Sequence, residues 1–271
     1  MPLITISRGI GCGGMIIARL VAEGLKLELF DDDRLEQELF KMGIHEEGSE
    51  LIKEKQPGFL DQIFSSKAGI YLDYLEAAIY EVAKKGEGVI IGHGSQMLLR
   101  DFECALHVRI QATESKRIQN LMTQKGIGED AAWKLIHKRD HEQGGFFQYA
   151  FHKDWNDPAL YDLIINTEQI DLDLAAKLVM EAAGSEQIRA CSLNALESME
   201  RMSLKKKIHA ALVENNIQIA FFNIDVPEKG IAEISGLCRS ENEKEDTIRI
   251  VKALSDVKEV RAKMVVTARY Y

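Results

Sequence analysis

A short apolar strand followed at once by a glycine-rich turn is the feature that most constrains this chain. Leu3–Ser7 is predicted to be a strand, residues 8–14 read RGIGCGG, and a helical pattern begins at Met15. This order directs backbone N–H groups and the positive end of the helix dipole at one point. Glycine is needed there because a Cβ would block phosphate oxygens. The turn therefore predicts a phosphate-binding loop in an α/β domain.

Two common phosphate-loop patterns do not fit these residues. The dinucleotide pattern GxGxxG needs a third glycine where the chain has Ile16. The Walker pattern GxxxxGK[ST] needs glycine, lysine and a hydroxyl where the chain has Arg8, Gly14 and Met15. The loop thus has the position of a phosphate-binding loop, but it lacks the lysine and the hydroxyl of the Walker pattern.

Short apolar runs alternate with helical patterns over the first two thirds of the chain. The predicted strands are Leu3–Ser7, Leu27–Phe30, Gly88–Gly92, Ala105–Ile110 and Asp162–Asn166. The predicted helices are Met15–Leu25, Asp33–Met42, Ser65–Lys85, Thr113–Lys125, Glu129–Glu142 and Leu172–Ala183. Alternation of this kind predicts an α/β domain over residues 1–184, with a parallel five-stranded sheet flanked by helices.

The last part of the chain has a different pattern. Residues 185–198 are weakly patterned and are interpreted as a linker. The predicted elements that follow are a helix at Ser203–Asn215, strands at Gln218–Val226 and Gly230–Leu237, a helix at Glu241–Leu254 and a strand at Glu259–Ala268. This αββαβ order predicts a small α+β domain over residues 199–271.

Charge and composition exclude several classes of function. Residues 1–195 carry 21 Lys+Arg against 31 Asp+Glu, a balance of −10, and residues 196–271 carry 13 against 12, a balance of +1. An acidic body of this kind is unsuited to general nucleic-acid binding, which depends on neutralising phosphates. No apolar run approaches the ~18 residues of a membrane span, and no leader is predicted before the first strand.

The four cysteines are far apart in the sequence. Cys12, Cys104, Cys191 and Cys238 form no CxxC pair. This spacing argues against a zinc site and against a disulfide framework, and it is typical of a protein of the reducing cytoplasm.

The motifs along residues 3–167 resemble the cytidylate kinase-like family. The matching segments are ITISR with GCGG at 4–14, LFD at 29–31, VIIGHG at 89–94, HVRI with TESKRI at 107–118, WNDP at 155–158 and YDLIINT at 161–167. The family's corresponding motifs occur in this order. The resemblance implies an ATP-dependent phosphoryl transfer, with Mg²⁺, to a nucleoside monophosphate such as cytidylate.

The resemblance also implies which residues form the site. The candidate catalytic residues are Arg8, Arg139 and Asp140. The candidate nucleotide and phosphate ligands are Arg8, Gly9, Gly11, Cys12, Gly13, Gly14, Met15 and Arg117. The candidate acceptor residues are Asp31 and His93. No set of metal-ligating side chains is predicted, and the triplet Asp31–Asp33 is interpreted as a solvated helix N-terminus.

The chain departs from the family pattern by lacking positively charged residues at several positions. The family's lid would cover Lys138–Phe151, but Gln143, Gly144 and Gly145 follow Asp140 where the family has basic residues, and His93 replaces an arginine. Arg8, Arg100, Arg117, Lys138 and Arg139 are the cations that could compensate. An alternative interpretation of Arg139 and Asp140 is an exposed charged pair.

Two alternatives to a kinase follow from these departures. The first is a non-catalytic sensory or regulatory protein in which the loop holds a nucleotide or another anion. The second is a structural homo-oligomer with a vestigial loop. In each of these interpretations, the aromatic residues of 146–155 are expected to pack a lid or a dimer contact, and the alternative for them is a platform that stacks a base.

The small C-terminal domain resembles the BON domain. The resemblance lies in GIAEISG at 230–236 and in VKEVRAKM at 257–264, although Asp256 replaces a glycine of the BON pattern. It implies binding of a lipid, a small ligand or a protein. The run Lys205–Lys207 could serve an anionic partner, but its three side chains are interpreted as a solvated cluster.

Overall fold

The computed structural model describes residues 2–41, 68–186, 188 and 190–267. The chain forms two compact units. The first unit contains the residues up to 65 and those from 85 to 192, and the second contains residues 66–84 and those from 193 onward. The chain therefore passes from the first unit into the second and back before it enters the second unit again.

The helices and strands are numbered as they follow one another along the chain. They are β1 (Leu3–Arg8), α1 (Gly14–Leu25), β2 (Leu29–Phe30), α2 (Asp32–Lys41), α3 (Ala68–Ala83), β3 (Gly88–Ile91), α4 (Ser95–Leu98), β4 (Ala105–Gln111), α5 (Glu114–Lys125), α6 (Glu129–Phe151), β5 (Leu163–Asn166), α7 (Leu172–Ala183), α8 (Leu193–Glu214), β6 (Phe222–Glu228), β7 (Ile231–Cys238), α9 (Glu241–Lys252) and β8 (Glu259–Val266). Single 3-10 turns lie at Pro158–Leu160 and Ile219–Phe221.

The first unit is built on a five-stranded sheet in the order β2-β3-β1-β4-β5. All four strand pairs are parallel. Strand β1 is central and fully buried from Leu3 to Ser7, so the loop that follows it emerges at the middle of the carboxyl edge. Ligands bind at this edge in open α/β sheets. The predicted fold class is confirmed.

The core of the first unit explains why the strands are nearly all apolar. Side chains of β1, β3 and β4 pack with those of α1 and α7. The buried members include Ile4, Ile6, Ile17, Val21, Val89, Ile91, Val108, Ile110, Ala175 and Val179. Buried parallel strands carry apolar side chains on both faces, so they lack the alternation of a half-exposed sheet.

Two helices are much longer than predicted. Helix α6 continues past Glu142 to Phe151, through Gly144 and Gly145. Helical glycines cost stability but are tolerated when later residues are buried, and Phe146 and Phe147 are almost fully buried here. Helix α8 begins at Leu193, ten residues before the predicted start. The predictions at Met42, residues 65–67 and residue 268 lie outside the described residues.

The second unit contains the predicted αββαβ order as α8, β6, β7, α9 and β8. Its sheet has the order β6-β7-β8, with an antiparallel first pair and a parallel second pair. The core is formed by residues of α8, α9 and the three strands, among them Leu204, Ile208, Leu212, Ile224, Ile234, Val251 and Met264. Helix α3 belongs to this unit as well.

Helix α3 is joined to α8 by charged pairs. Lys207 is only 9% exposed, and its Nζ lies 2.9 Å from Glu81 and 2.7 Å from Asp256. The Nζ of Lys206 lies 3.2 Å from Asp73. The interpretation of residues 205–207 as a solvated cluster is therefore wrong for two of the three lysines. Carboxylates of α3, which are distant in the sequence, hold them inside the unit.

Glu81 makes the second unit sensitive to acid. Burial alone would raise the pKa of Glu81, but Lys84 and Lys207 overcome this effect and lower it from 4.5 to about 2. The ionised form is therefore favoured in the folded state, and its stabilisation is lost as the pH falls from about 4.5 towards 2. Glu81→Gln should destabilise the protein at pH 6, and the difference from the wild type should shrink towards pH 2.

Urea unfolding of both proteins across this pH range measures the difference. Glu245→Gln is the control, because Glu245 is exposed on α9, and its difference from the wild type should stay near zero. A gap between wild type and Glu81→Gln that is constant from pH 6 to pH 2 would contradict the prediction.

A disulfide joins Cys104 and Cys191 in the first unit, with a Cα–Cα distance of 4.8 Å. The expectation that the chain has no disulfide is therefore wrong. The two cysteines are 87 residues apart, but the fold brings the start of β4 close to the segment that follows α7. Cys12 and Cys238 are free and buried.

Removing this disulfide should destabilise the first unit. A closed loop of this length restricts the unfolded chain, and the expected contribution is about 4 kcal/mol. Cys191→Ser should therefore unfold at a lower temperature than the wild type in the absence of reductant, as measured by calorimetry. Wild type with dithiothreitol is the matched control and should unfold like the variant. Equal unfolding temperatures without reductant would count against a formed disulfide.

Within the described ranges, no helix combines the length and hydropathy required of a transmembrane segment.

Candidate functional site

Two glycines of the loop adopt a left-handed backbone conformation. The φ angles are 84° at Gly11 and 83° at Gly13. Other L residues rarely adopt these angles, and a Cβ would also lie 2.8 Å from the carbonyl oxygen of Arg117 at Gly11 and 2.5 Å from Leu172 at Gly13. Gly13 is the N-cap of α1, and its position offers no side-chain cap to this helix. The turn thus brings the backbone to the N-terminus of α1 as the sequence predicted.

Every carbonyl oxygen from residue 9 to residue 12 accepts a hydrogen bond from a side chain. The bonds are Cys12 Sγ to Gly9 O (2.8 Å), Arg117 Nε to Ile10 O (2.7 Å), Asn120 Nδ2 to Gly11 O (2.8 Å) and Thr167 Oγ1 to Cys12 O (2.9 Å). The donors come from the loop itself, from α5 and from the residue after β5. The carbonyl side of the loop is therefore fixed against the protein.

Three backbone N–H groups of the loop, by contrast, have no acceptor among the described residues. The N–H groups of Ile10, Gly11 and Gly13 donate to no group of the residues that the structure describes. Backbone N–H groups are strong donors that normally find an acceptor. A loop with its carbonyl oxygens bonded and its N–H groups open is suited to bind the oxygens of an anion.

Cys12 has a structural role in this arrangement. Its Sγ contacts Gly9 O at 2.8 Å and Ile110 O at 3.3 Å. Burial raises the pKa of the Cys12 thiol, so the thiol stays protonated and its single hydrogen is available to the nearer carbonyl oxygen, that of Gly9. Since the thiolate is the reactive form of cysteine, Cys12 lacks the properties of a nucleophile.

Arg117 and Asp140 form a clamp behind the loop. Both guanidinium Nη atoms lie 2.7 Å from the two carboxylate oxygens of Asp140, while Nε donates to Ile10 O. Bidentate pairs of this kind are among the stronger side-chain contacts and fix both partners. Arg117 and Asp140 therefore connect α5 and α6 to the loop.

Arg8 occupies the space next to Gly14. A Cβ at position 14 would lie 2.5 Å from Arg8 Cβ and 2.9 Å from Arg8 Cγ. The Walker pattern would have glycine at position 8 and lysine at position 14, whereas this chain has the cation at 8 and the glycine at 14. Positions 8 and 14 touch, and relative to the Walker pattern the glycine and the cationic residue are exchanged between them. Arg8 therefore brings a cation to the loop from β1 instead of α1.

A cavity of about 410 Å³ lies over the loop and the first turn of α1. Among the described residues, four cations line it, namely Arg8, Arg19, Lys125 and Arg139, against one carboxylate, Glu142. Its apolar lining consists of Ile10, Met15, Ile16, Leu121, Leu135 and Phe146. The cavity thus combines an excess of positive charge with an apolar wall.

Arg139 and Asp140 bind different partners. Arg139 Nη1 donates to Glu142 Oε2 at 3.0 Å and lines the cavity, whereas Asp140 binds Arg117. The two residues therefore do not form the exposed charged pair of the alternative interpretation. Helical spacing favours the observed contact, because residues i and i+3 lie on one helix face and adjacent residues do not.

The predicted acceptor residues lie at the carboxyl ends of β2 and β3. Asp31 Oδ1 accepts the N–H of Arg34 at 3.1 Å and so caps the start of α2. His93, at φ 58°, is fully buried in its side chain, and its Nε2 lies 2.9 Å from Asp32 Oδ1. The interpretation of residues 31–33 as wholly solvated is wrong for Asp32, which is 1% exposed and bound to His93.

Two residues of the loop site, Asn120 and Thr167, were not predicted from the sequence. Asn120 follows Arg117 by three residues on α5, a spacing that puts both side chains on one helix face. Since Arg117 was already a candidate, this spacing was a usable signal. Thr167 ends the YDLIINT segment, but its bond to the loop could not be predicted from that segment, because it depends on the pairing of β5 with β4.

The fold and the loop define a P-loop kinase-like protein, and sequence comparison identifies the family. The chain belongs to the cytidylate kinase-like family, whose model matches residues 3–169, more than half of the chain. The BON domain model matches residues 203–268. No curated protein matches the chain.

Solved structures resemble the fold at low sequence identity. An uncharacterized protein from Eubacterium ventriosum has a TM-score of 0.55 and 20% identity, covering 67% of this chain and 97% of its own. Shikimate kinase from Acinetobacter baumannii has a TM-score of 0.41 and 13% identity, with 70% and 96% covered. A gluconokinase from Sinorhizobium meliloti has a TM-score of 0.42 and 14% identity, with 67% and 91% covered.

The contact between Arg8 and Gly14 predicts an asymmetry between two glycine substitutions. Gly14→Ala should destabilise the protein by about 1–3 kcal/mol, because the new methyl group overlaps the Arg8 stem. Gly144→Ala is the matched control, since its Cβ would meet nothing closer than 3.8 Å. It should stabilise by about 1 kcal/mol through helix propensity. Thermal unfolding measures both, and equal shifts in one direction would contradict this packing.

Proposed function

We propose that the protein binds ATP at the glycine loop and transfers its γ-phosphoryl group to a nucleoside monophosphate. The observation that carries this proposal is the loop itself. The carbonyl oxygens of residues 9–12 are bonded on one side, and the N–H groups of Ile10, Gly11 and Gly13 are open, among the described residues, on the other. The family to which the chain belongs supports the reaction class.

The proposed donor phosphates lie against the loop N–H groups and the N-terminus of α1. Arg8 supplies the cation that the Walker pattern takes from a lysine at position 14. Arg139 and Asp140 have distinct roles in this proposal. Arg139 lines the cavity and meets the phosphates, and Asp140 holds the Arg117 clamp. The apolar wall formed by Leu121 and Leu135 accommodates the base.

Few side chains of the protein are suited to bind Mg²⁺ in this cavity. In P-loop enzymes a loop hydroxyl and an acidic residue hold the metal. This chain has Met15 at the hydroxyl position, and Glu142, the carboxylate among the described lining residues, lies 3.0 Å from Arg139. These residues therefore do not fit a protein-held Mg²⁺, and Mg²⁺ enters the proposal only as part of the ATP complex.

The proposed acceptor binds at the ends of β2 and β3. Asp31 is half-buried there and is the residue proposed to contact the acceptor. The His93 side chain is fully buried, so its proposed role is to position Asp32 and the start of α2. Both nucleotides are cytoplasmic metabolites, so the proposal includes a cytoplasmic location.

A nucleotide sensor without transfer is the second candidate. Lysine cannot occupy position 14 while the Arg8 stem fills that space, and residues 143–145 of α6 carry no arginine. Loss of one cation at a transferring phosphoryl group can lower the rate by about 10³–10⁵. In this candidate the loop keeps its ligand, and the BON-like unit provides the output through a lipid, small-molecule or protein partner.

One set of measurements tests the binding proposal and separates the two candidates. Calorimetric titration with ATP and Mg²⁺ should give binding, and Arg8→Met should weaken it about tenfold or more because a phosphate cation is lost. Lys134→Met is the control, since Lys134 is exposed on α6 and does not line the cavity. A coupled assay with ATP and each nucleoside monophosphate then measures transfer.

The outcomes are distinct. Turnover with any monophosphate supports the kinase, and ATP binding without turnover supports the sensor. Absence of ATP binding by the wild type would overturn both. Equal ATP affinity of Arg8→Met and the wild type would remove Arg8 from the site.

A further inference from the structure

Residues of three sequence motifs, HVRI, WNDP and YDLIINT, meet around one buried arginine. Arg109 belongs to the HVRI segment of β4 and pairs in register with Ser7 of β1. Its Nη1 donates to Ser7 Oγ at 3.0 Å, and its Nη2 donates to Asn156 Oδ1 at 3.2 Å. Asn156 belongs to WNDP. Arg109 thus connects the strand end before the loop to a segment that follows Arg109 by 47 residues.

Aromatic side chains enclose the guanidinium group. Its carbon lies 3.7 Å from the ring centroid of Trp155 and 5.7 Å from that of Tyr161. The Tyr161 hydroxyl lies 2.6 Å from Trp155 O and 3.3 Å from Ser7 Oγ. Gln96 Nε2 donates to the same hydroxyl at 3.2 Å. Each of these partners is a neutral group, whereas Arg109 is charged.

The positive charge of Arg109 is buried among neutral hydrogen-bond and ring partners. Arg109 is 6% exposed, and within the described part of the chain it forms no ion pair. Its partners are a hydroxyl, an amide and two aromatic rings. Arg117, by contrast, is paired with Asp140. Burying an unpaired charge is costly, and burial lowers the pKa of Arg109. A merely structural contact would be made at lower cost by a neutral side chain.

Arg109 lies close to the phosphate loop, because Cys12 Sγ of the loop is 3.3 Å from the carbonyl oxygen of Ile110, the next residue of β4. Burial raises the pKa of Cys12 in the loop, and the positive charges of Arg117, Arg109 and Arg8 oppose that effect. Arg109 therefore contributes positive potential at the loop. A buried charge is weakly screened by solvent and acts over longer distances than an exposed one.

We propose that Arg109 is a positioning residue of the loop site and stabilises the phosphates of the bound nucleotide by its charge, without touching them. It replaces part of the positive charge that the loop lost with the lysine. Its bond to Ser7 also fixes the strand end from which Arg8 extends. This inference rests on the proposed binding of a nucleotide at the loop.

Two substitutions of Arg109 in the full chain separate charge from packing. Arg109→Met keeps an apolar stem and removes the charge, and Arg109→Lys keeps the charge and removes the planar fork. Calorimetric titration with ATP, ADP, AMP and adenosine measures the effect on each ligand. Lys177→Met is the control, because Lys177 is exposed on α7 and does not line the cavity. Thermal unfolding of every variant monitors stability.

The expected result is a loss that grows with the number of phosphates. Arg109→Met should weaken ATP binding about tenfold, weaken ADP and AMP binding progressively less, and leave adenosine binding unchanged. Arg109→Lys should bind ATP within about threefold of the wild type even if its unfolding temperature is lower, because the charge remains. A purely structural role would instead weaken all four ligands alike.

The contradicting results are specific. Equal ATP affinity of Arg109→Met and the wild type would overturn the inference and leave the proposed function intact. An equal loss for adenosine and ATP would assign Arg109 to structure alone. If Arg109→Met does not fold, about a tenfold loss of ATP affinity in folded Arg109→Lys would also overturn the role of charge. Failure of the wild type to bind any of the nucleotides would overturn the proposed function itself.

Discussion

The site depends first on the hydrogen bonds that hold the carbonyl side of the glycine loop. Four consecutive carbonyl oxygens accept bonds from Cys12, Arg117, Asn120 and Thr167. A glycine-rich segment has many accessible conformations, and fixing it costs conformational entropy. These bonds offset that cost before any ligand arrives. The loop is therefore preorganised, and the N–H groups of Ile10, Gly11 and Gly13, which have no acceptor among the described residues, are left as donors for an anion.

The distribution of positive charge follows from the same packing. Gly14 leaves room for the Arg8 stem, and a side chain at position 14 would exclude it. The loop cation therefore comes from the end of β1, where Ser7 is bonded to the buried Arg109. In the proposed site, two arginines from neighbouring strands take the place of one lysine on the helix. Without the lysine, positive charge reaches the loop from the strands instead of the helix. The missing lysine is therefore a weaker argument against phosphate binding than the sequence pattern alone indicates.

Much of this architecture could be predicted from the sequence, for a physical reason. Buried parallel strands and amphipathic helices leave a local signature, so the fold class was accessible, and the loop was found from its glycines. Contacts between distant segments leave no such signature. The Cys104–Cys191 disulfide, the Asp32–His93 contact and the pairing of Arg109 with Ser7 all depend on strand order. Arg117 was a candidate ligand in the sequence, but only the fold connects it to Ile10 O and Asp140.

The extent of the second unit also depends on contacts between distant segments, so the local sequence pattern does not predict it. Helix α3 follows β2 and precedes β3 in the sequence, yet its carboxylates hold Lys206 and Lys207 of α8. Lys207 is nearly buried, so removal of α3 would leave its charge with Asp256 alone among the described residues. Leaving a buried charge without a partner strongly destabilises a protein. A boundary drawn between α7 and α8 would therefore separate the BON-like unit from a helix that its own lysines require. The αββαβ pattern alone does not define this unit.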